Sequence, residues 1–333
     1  MKSSSIAIII ELSAQRTVAA VSRECLHMGR KIADTLGCEL AAIVLGSSID
    51  AAAVEATCYD TDIVYAIEHS LLEGYEPELY LAAFLHSYEI YRPAGILMGH
   101  SLFSQDLAPR IACTLGAGLV MDATGFEFTS GEMLFIKPVY SGNVIAHFSV
   151  DTEPFVTTIR PKSEGPALFS SERRGKLVSV PVAIDRSLTT IEVVERVHED
   201  NHGMRLQNAD VIVAGGRGMG GPEGFDALAD LAGVLGGTVG SSRPPCDLGW
   251  IPPSTQIGQT GEIVKPDLYI AVGISGSTQH ITGMAGAKTV IAINTDPGAN
   301  IFRIADYGLI ADYHEAIPAF TESLREIIGE RDT

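Results

Sequence analysis

Residues 268–284 read LYIAVGISGSTQHITGM. The apolar run Leu268-Tyr269-Ile270-Ala271-Val272 passes without alternation into a turn of glycine and serine, and helical sequence begins directly behind it. An apolar strand that does not alternate is one buried on both faces, as in a parallel sheet covered by helices. A glycine turn between such a strand and a helix is where open α/β sheets bind ligands. The free N–H groups and the positive end of the helix dipole face whatever sits there. Ser275 and Gly276 fall at this transition, and the first turns of the helix carry Gln279 and His280. A histidine in that place has two readings. It is a packed structural residue, or it holds a charge that forms on an electron-rich ring.

The same unit recurs along the chain. In the second half, DVIVAGG (210–216), TVGSS (238–242), KTVIAIN (288–294) and GLIAD (308–312) read as strands, with helices at 222–235 and 316–330. In the first half, IAIIIEL (6–12), LAAIVLG (40–46), DIVYAI (62–67) and AGILMG (94–99) read as buried strands. Helices are expected between and after them at 14–36, 50–57, 76–91 and 104–115, with Gly37, Pro93 and Gly116 as stop signals. Residues 119–186 change character, with alternation and turn signals. MLFIKPVYSGNVIAHFSV (133–150) reads as a hairpin turning at Ser141–Asn143. These strands are expected to extend the first sheet in antiparallel fashion. The expected fold class is α/β with two doubly wound domains. Residues 1–200 form a Rossmann-like domain with added antiparallel strands, and residues 208–333 a parallel α/β domain. The polar stretch 187–207 joins them as a hinge.

Composition excludes several function classes. Hydrophobic residues make up 46% and charged residues 19% of 333, as in a globular protein with a good core. No apolar run approaches the length of a membrane span. The short apolar run near the N-terminus is ended by Glu11 and has no small-residue cleavage site, so it reads as a strand rather than a signal peptide. A net charge of −18 argues against nucleic-acid binding, which needs a basic surface. Cys25, Cys38, Cys58, Cys113 and Cys246 contain no C-x-x-C pair, so no metal site is expected. Scattered cysteines suit a reducing compartment, a cytoplasm or a mitochondrial-matrix-like one.

Six glycine or turn segments of the second half converge on one sheet edge. GGRGMGGPEGF (215–225) fits G-x-G-x-x-G through Gly216, Gly218 and Gly221. A dinucleotide site would place an acid about 20 residues on to hold a ribose. Ser241-Ser242-Arg243 stands there instead, which leaves a nest of N–H groups around Arg217, suited to an anion such as phosphate. In SSRPPCDLGW (241–250), Arg243 is fixed by Pro244 and Pro245 just past a strand end. It is a surface arginine in a proline turn or a presented charge. Gln259-Thr260-Gly261 offers an amide and a hydroxyl on a tight turn. Asn294 and Asp296 follow the next strand, and Asp312 precedes the closing helix. Asp312 is a helix cap or an acceptor for an adenine amino group or a ribose.

Taken together, Gly215-Gly216-Arg217-Gly218, Ser242-Arg243, residues 256–261 (QIGQTG), Gly273-Ile274-Ser275-Gly276 with Gln279-His280 and Gly283-Met284, Ala292-Ile293-Asn294 with Asp296, and Ala305-Asp306-Tyr307-Gly308 with Asp312 resemble the alpha subunit of electron-transfer flavoproteins. Their order and spacing cover residues 210–320. Asp106-Leu107-Ala108-Pro109-Arg110 and Pro138-Val139-Tyr140-Ser141-Gly142-Asn143 carry the resemblance less sharply into the first half. The resemblance implies a heterodimer with a beta subunit and one FAD held by the second domain. It implies that His280 lies near the pyrimidine end of the flavin and stabilises negative charge on the reduced ring. Thr260 faces N5, and Arg243 lies over the ring and raises its potential. Arg217, Ser242, Ser275 and Gln279 serve the pyrophosphate and sugar, and Asn294 and Asp312 the adenosine half. Ile257, Gly258, Gln259, Gly276, Ser277, Thr278 and Tyr313 complete the cofactor-binding set. The sequence departs from the family pattern at Pro244-Pro245-Cys246, at Ser277-Thr278 and at Ser104-Gln105. The first two border the flavin; the third bears on the contact with the beta subunit.

The function implied is one-electron transfer between a flavoprotein dehydrogenase, or a flavin in the partner subunit, and a flavoprotein or quinone-reductase acceptor. It takes two forms: simple transfer from acyl-CoA dehydrogenases, or electron bifurcation in which the partner binds NADH and a second FAD. The rival readings are an NAD-binding enzyme subunit on a Rossmann-like domain and a non-catalytic adenine-nucleotide binding module. The missing ribose acid counts against the first rival.

Overall fold

Six consecutive buried residues, Ser5–Ile10, make the first strand, β1, and the whole N-terminal unit is laid around it. The computed structural model describes residues 5–129, 131–140, 142, 144–172, 174–191, 206 and 209–329. The chain divides into two units, residues 1–196 and 197–333. Most of the expected hinge, residues 192–205 and 207, lies outside the described residues, as do Ser141 and Asn143 of the expected hairpin turn.

In the first unit β1 is followed by α1 (Ala20–Leu36), β2 (Glu39–Gly46), α2 (Asp50–Ala56), β3 (Ile63–Glu68), α3 (Pro77–Tyr91), β4 (Gly95–Gly99) and α4 (Leu102–Leu115). Next come β5 (Gly118–Ala123), β6 (Gly125–Thr129), β7 (Glu132–Val139), β8 (Val144–Ser149), β9 (Phe155–Ile159) and β10 (Lys176–Ser179). Seven strands form one sheet in the order β10-β3-β2-β1-β4-β9-β5. Alternate residues of β1 serve opposite faces. Ile6, Ile8 and Ile10 pack with Leu26, Met28 and Ile32 of α1, and Ala7 and Ile9 with Phe84, Leu107 and Ile111 of α3 and α4. Helix α1 begins at Ala20, later than expected, because residues 12 and 18 are held as an isolated bridge. It ends at Gly37, whose φ of 65° only glycine adopts freely.

The antiparallel strands are present, but they do not extend that sheet. β6, β7 and β8 form a separate three-stranded sheet, while β5, β9 and β10 join the large sheet in parallel. The reason lies in the pattern. β9 is buried throughout and suits a sheet interior. β8 is exposed at Val144, Ile145 and Phe148 and suits a small sheet with an open face.

The second unit holds β11 (Val211–Gly215), α5 (Gly224–Val234), β12 (Thr238–Ser241), α6 (Arg243–Asp247), β13 (Leu268–Val272), α7 (Thr278–Met284), β14 (Thr289–Asn294), β15 (Tyr307–Ile310) and α8 (Tyr313–Gly329). Its strands pair in parallel in the order β12-β11-β13-β14-β15. The chain reverses its winding between β11 and β13, so the connections that leave their carboxyl ends run to opposite faces of the sheet. Among the described residues, no helix is long and apolar enough to cross a membrane.

Candidate functional site

The carboxyl ends of the second sheet border a cavity of about 610 Å³ at this switch point. Arg217, Ser242, Arg243, Ile257, Gly258, Gln259, Thr260, Ser275, Ser277, Gln279, His280 and Asn294 all line it. Of the other expected binding residues, Gly276, Thr278, Asp312 and Tyr313 do not.

Two glycine turns form its floor. The Gly216 N–H donates to the Val272 carbonyl (2.8 Å) and the Gly218 N–H to that of Gly273 (3.0 Å). A Cβ on Gly216 would stand 2.2 Å from the Gly273 oxygen. The N–H groups of Met219 and Gly220 are taken by Gly216 and Arg217 carbonyls. The Gly216 and Gly218 donors of the expected anion nest are thus used in stacking one turn on the other, and those of Met219 and Gly220 in closing the turn itself. What this segment offers the cavity is the Arg217 side chain and the edge of Gly218.

Arg243 begins the short helix α6, where Pro244 and Pro245 occupy positions that need no N–H donor. Its Nε donates to Asp247 Oδ2 at 3.1 Å, and both side chains stay largely exposed. Asp247 lines the cavity and was not foreseen, although an acid four residues beyond an arginine on a helix is a legible pairing signal. Cys246 turns elsewhere, with Sγ 3.1 Å from Ser241 Oγ.

The loop at 256–261 is tied down at three points. The Ile257 N–H donates to Ser241 (2.8 Å), the Gln259 N–H to Gln279 (2.8 Å), and the Gln256 amide to Thr260 Oγ1 (3.0 Å). The last bond leaves the Thr260 hydroxyl proton free to face the cavity. The loop lies directly on α7, because a Cβ on Gly283 would stand 2.4 Å from the Gly258 nitrogen.

In the quoted stretch, Ser275, Ser277 and Gln279 reach the cavity. Gly276 serves packing: with φ at 80°, a Cβ there would stand 2.2 Å from the Ile301 nitrogen. His280 is buried at 4% exposure, with Nδ1 3.0 Å from the Ile257 carbonyl and Nε2 3.0 Å from the Tyr269 hydroxyl. Burial drives its pKa down to about 4, against the favourable bond to Ile257. At neutral pH the ring facing the cavity is thus an uncharged imidazole with both nitrogens engaged.

Asn294 Nδ2 donates to the Ile274 carbonyl (2.9 Å), and its Oδ1 accepts from the Asp296 N–H (3.0 Å), which bolts the cavity's far wall to the 273–277 turn. Asp312 heads α8 and accepts from the His314 N–H at 2.9 Å, the bond that holds its carboxyl below the ordinary range. Tyr313 donates to the Met219 carbonyl at 2.9 Å. Tyr313 thus braces the glycine turn from outside the cavity, while Asp312 caps its own helix.

The donor set is two guanidiniums, the hydroxyls of Ser242, Thr260, Ser275 and Ser277, and the amides of Gln256, Gln259 and Gln279. It suits a ligand that carries phosphate charge, a hydroxylated chain and a flat polar ring. Residues 205–285 match the family described as the electron transfer flavoprotein FAD-binding domain, and residues 6–185 the electron transfer flavoprotein domain. The chain is 38% identical to an electron transfer flavoprotein subunit alpha from Thermoanaerobacterium thermosaccharolyticum, covering 92% of this chain and 94% of that one. It is 37% identical to the protein of the same name from Bacillus subtilis, over 92% and 93%. It is also 37% identical to the protein FixB of Azorhizobium caulinodans, over 92% and 85%. The chain belongs to the electron transfer flavoprotein alpha subunit family, and its cofactor is FAD.

Proposed function

We propose that this member of the electron transfer flavoprotein alpha family works as one half of a heterodimer with a beta subunit. It takes electrons from a flavoprotein dehydrogenase, or from a flavin in the partner subunit, and delivers them to a flavoprotein or quinone-reductase acceptor. The observation that carries the reading is the overlap of the FAD-binding match with a cavity at the switch point, where Arg243, Thr260 and His280 converge. FAD, when bound, supplies reversible one-electron chemistry; the chain's residues hold it and set its potential.

Their roles follow from charge and position. Arg217, Ser242, Ser275 and Gln279 are suited to the pyrophosphate and the sugar beside it. Arg243, rigid on its proline helix, holds positive charge against the ring and favours its reduced form. The Thr260 hydroxyl has a proton to donate, since its oxygen already accepts from Gln256. His280 forms a neutral wall. Asn294 and Asp312 serve the adenosine half, and Tyr313 acts on the site through the glycine turn it braces.

The test is colour. Purified with its beta subunit, the protein is expected to be yellow and to release FAD on denaturation. A colourless complex that rejects added FAD overturns the reading and favours a nucleotide-binding module. Stopped-flow mixing with NADH separates the two forms of transfer. Rapid reduction of two FADs marks bifurcation, and one FAD with no NADH reaction marks simple transfer.

A further inference from the structure

Tyr269 stands in the middle of β13 at 0% exposure, among the largest wholly buried side chains of the chain. A buried tyrosine needs a partner for its hydroxyl. Here that partner is Nε2 of His280, at 3.0 Å. The direction of the bond is settled at the other side of the ring. The Ile257 carbonyl can only accept, so the Nδ1 atom 3.0 Å away carries a proton. A neutral ring protonated at Nδ1 presents a bare lone pair at Nε2, and the tyrosine must donate to it. A second proton on Nε2 would make that atom a donor and leave the tyrosine's own hydrogen without an acceptor inside the core.

The chain Tyr269 O–H to His280 to Ile257 crosses three elements: β13, α7 and the loop at 256–261. The same loop bears Gln259 and Thr260, and the same helix bears Gln279, all of which line the cavity. We propose that Tyr269, which does not itself line the cavity, is a positioning residue for the cofactor site: its hydroxyl fixes His280 in the Nδ1–H tautomer and so locks strand, helix and loop into one wall. The hydroxyl acts at one remove. Without it, Nε2 is free to turn to the ligand or to take a proton, and the electrostatic environment of the ring changes. The effect on FAD rests on the functional reading above; the tautomer does not.

The experiment is nitrogen-15 NMR of the heterodimer with its beta subunit, labelled at histidine, with His280 assigned by its loss in His280→Gln. The native protein is expected to show His280 protonated at Nδ1 and bare at Nε2 at neutral pH. In Tyr269→Phe the Nε2 resonance is expected to move toward that of an unbonded lone pair, and the midpoint potential of bound FAD to shift. A native spectrum with the proton on Nε2, or a Tyr269→Phe protein with the native His280 resonances, overturns the proposal. If Tyr269→Phe does not fold, fluorotyrosine at position 269 decides. It is a stronger donor and is expected to move Nε2 in the opposite sense, and an unmoved resonance counts against the inference. A preparation without FAD removes the functional reading and leaves the tautomer measurement intact.

Discussion

Two parallel sheets in this chain reverse their winding, one between β1 and β4 and one between β11 and β13, and they treat the place in opposite ways. In the first unit the place is filled by the chain's own side chains. Glu11 follows β1, and its carboxylate accepts from the Ser101 hydroxyl at the head of α4. Ser101 and Ser104 cap that helix reciprocally, which takes up the Ser101 and Ser104 N–H groups. Burial pushes the Glu11 carboxyl up, against the Ser101 bond. In the second unit Ser277 holds the equivalent cap position of α7 without using its side chain, glycines stack the strand-end turns, and two arginines face the gap. The doubly wound architecture supplies a position. Whether a ligand can use it depends on which side chains already do.

The comparison breaks most readily at Gly216. A Cβ there meets a carbonyl oxygen at 2.2 Å, and backbone cannot swing aside as a side chain can. Gly216→Ala is expected to cost the second unit on the order of 3 kcal/mol or more and to abolish FAD retention. Hydrogen exchange should show β11 and β13 losing protection while β1 and β4 keep theirs. The control is Gly233→Ala, in a helix where the added atom meets nothing within 4 Å. It is expected to raise stability by about 0.5–1 kcal/mol, the ordinary glycine-to-alanine gain. Equal losses in both variants would mean that the stacked turns are not what holds the cavity open.

The next effect is a dependence on pH carried by the second unit's buried histidine. His280 is held near pKa 4 against an ordinary value of 6.5. A folded pKa below the unfolded one means the unfolded chain binds the extra proton first. The stabilisation is therefore whole above pH 6.5 and declines as pH falls toward 4. The difference amounts to about 3 kcal/mol over that window, at about 1.4 kcal/mol per unit. Urea unfolding followed through the second unit should show the decline, and His280→Gln should flatten it. A slope unchanged by His280→Gln would assign it to the carboxylates instead.

Much of this was legible in the sequence. Unalternating apolar runs such as 268–272 and 40–46 gave both parallel sheets, because burial on two faces leaves that pattern and no other strand does. The cavity-lining residues were legible as a set, since strand-end loops of one sheet must converge. What the sequence could not show was direction. The glycines of 216–218 read as an anion nest because spacing does not reveal where N–H groups point. Here they point at the neighbouring turn. Tyr313 braces the glycine turn from behind and Asp312 caps its own helix, which follows only from the bonds to Met219 and His314. The strands after residue 119 carried alternation without register, so their separation into a small antiparallel sheet and parallel additions was not readable.

A smaller effect sharpens the electrostatic side of the comparison. Arg243→Ala is expected to lower the FAD midpoint potential by roughly 60 mV, a tenfold change for one electron. Asp247, bonded to Arg243 Nε at 3.1 Å, offsets part of that charge. Asp247→Asn is expected to shift the potential the other way, by less, because an exposed pair is worth about 0.2–1 kcal/mol. Spectroelectrochemical titration of the two variants gives both signs. Shifts in the same direction would show that the acid acts by aiming the guanidinium rather than by diluting its charge.

The smallest expected effect is at Glu11, and it asks whether charge alone closes the first switch point. Glu11→Gln removes a carboxylate whose pKa burial raises, and the amide oxygen can still accept from Ser101. Stability of the first unit at neutral pH should rise or stay level within about 1 kcal/mol, since a buried charge is removed and its bond kept. FAD content per heterodimer should not change. Added nucleotide should not bind there either, because neutralising the acid does not release the two capped donors at the head of α4. Ser104 N–H still turns to Ser101 Oγ, and Ser101 N–H to Ser104 Oγ at 2.9 Å. Calorimetric titration of the variant with an adenine nucleotide decides the matter. Binding would mean that one carboxylate separates the two sheets; no binding means that the capped helix does, and that opening such a site takes the loss of a cap as well as of a charge.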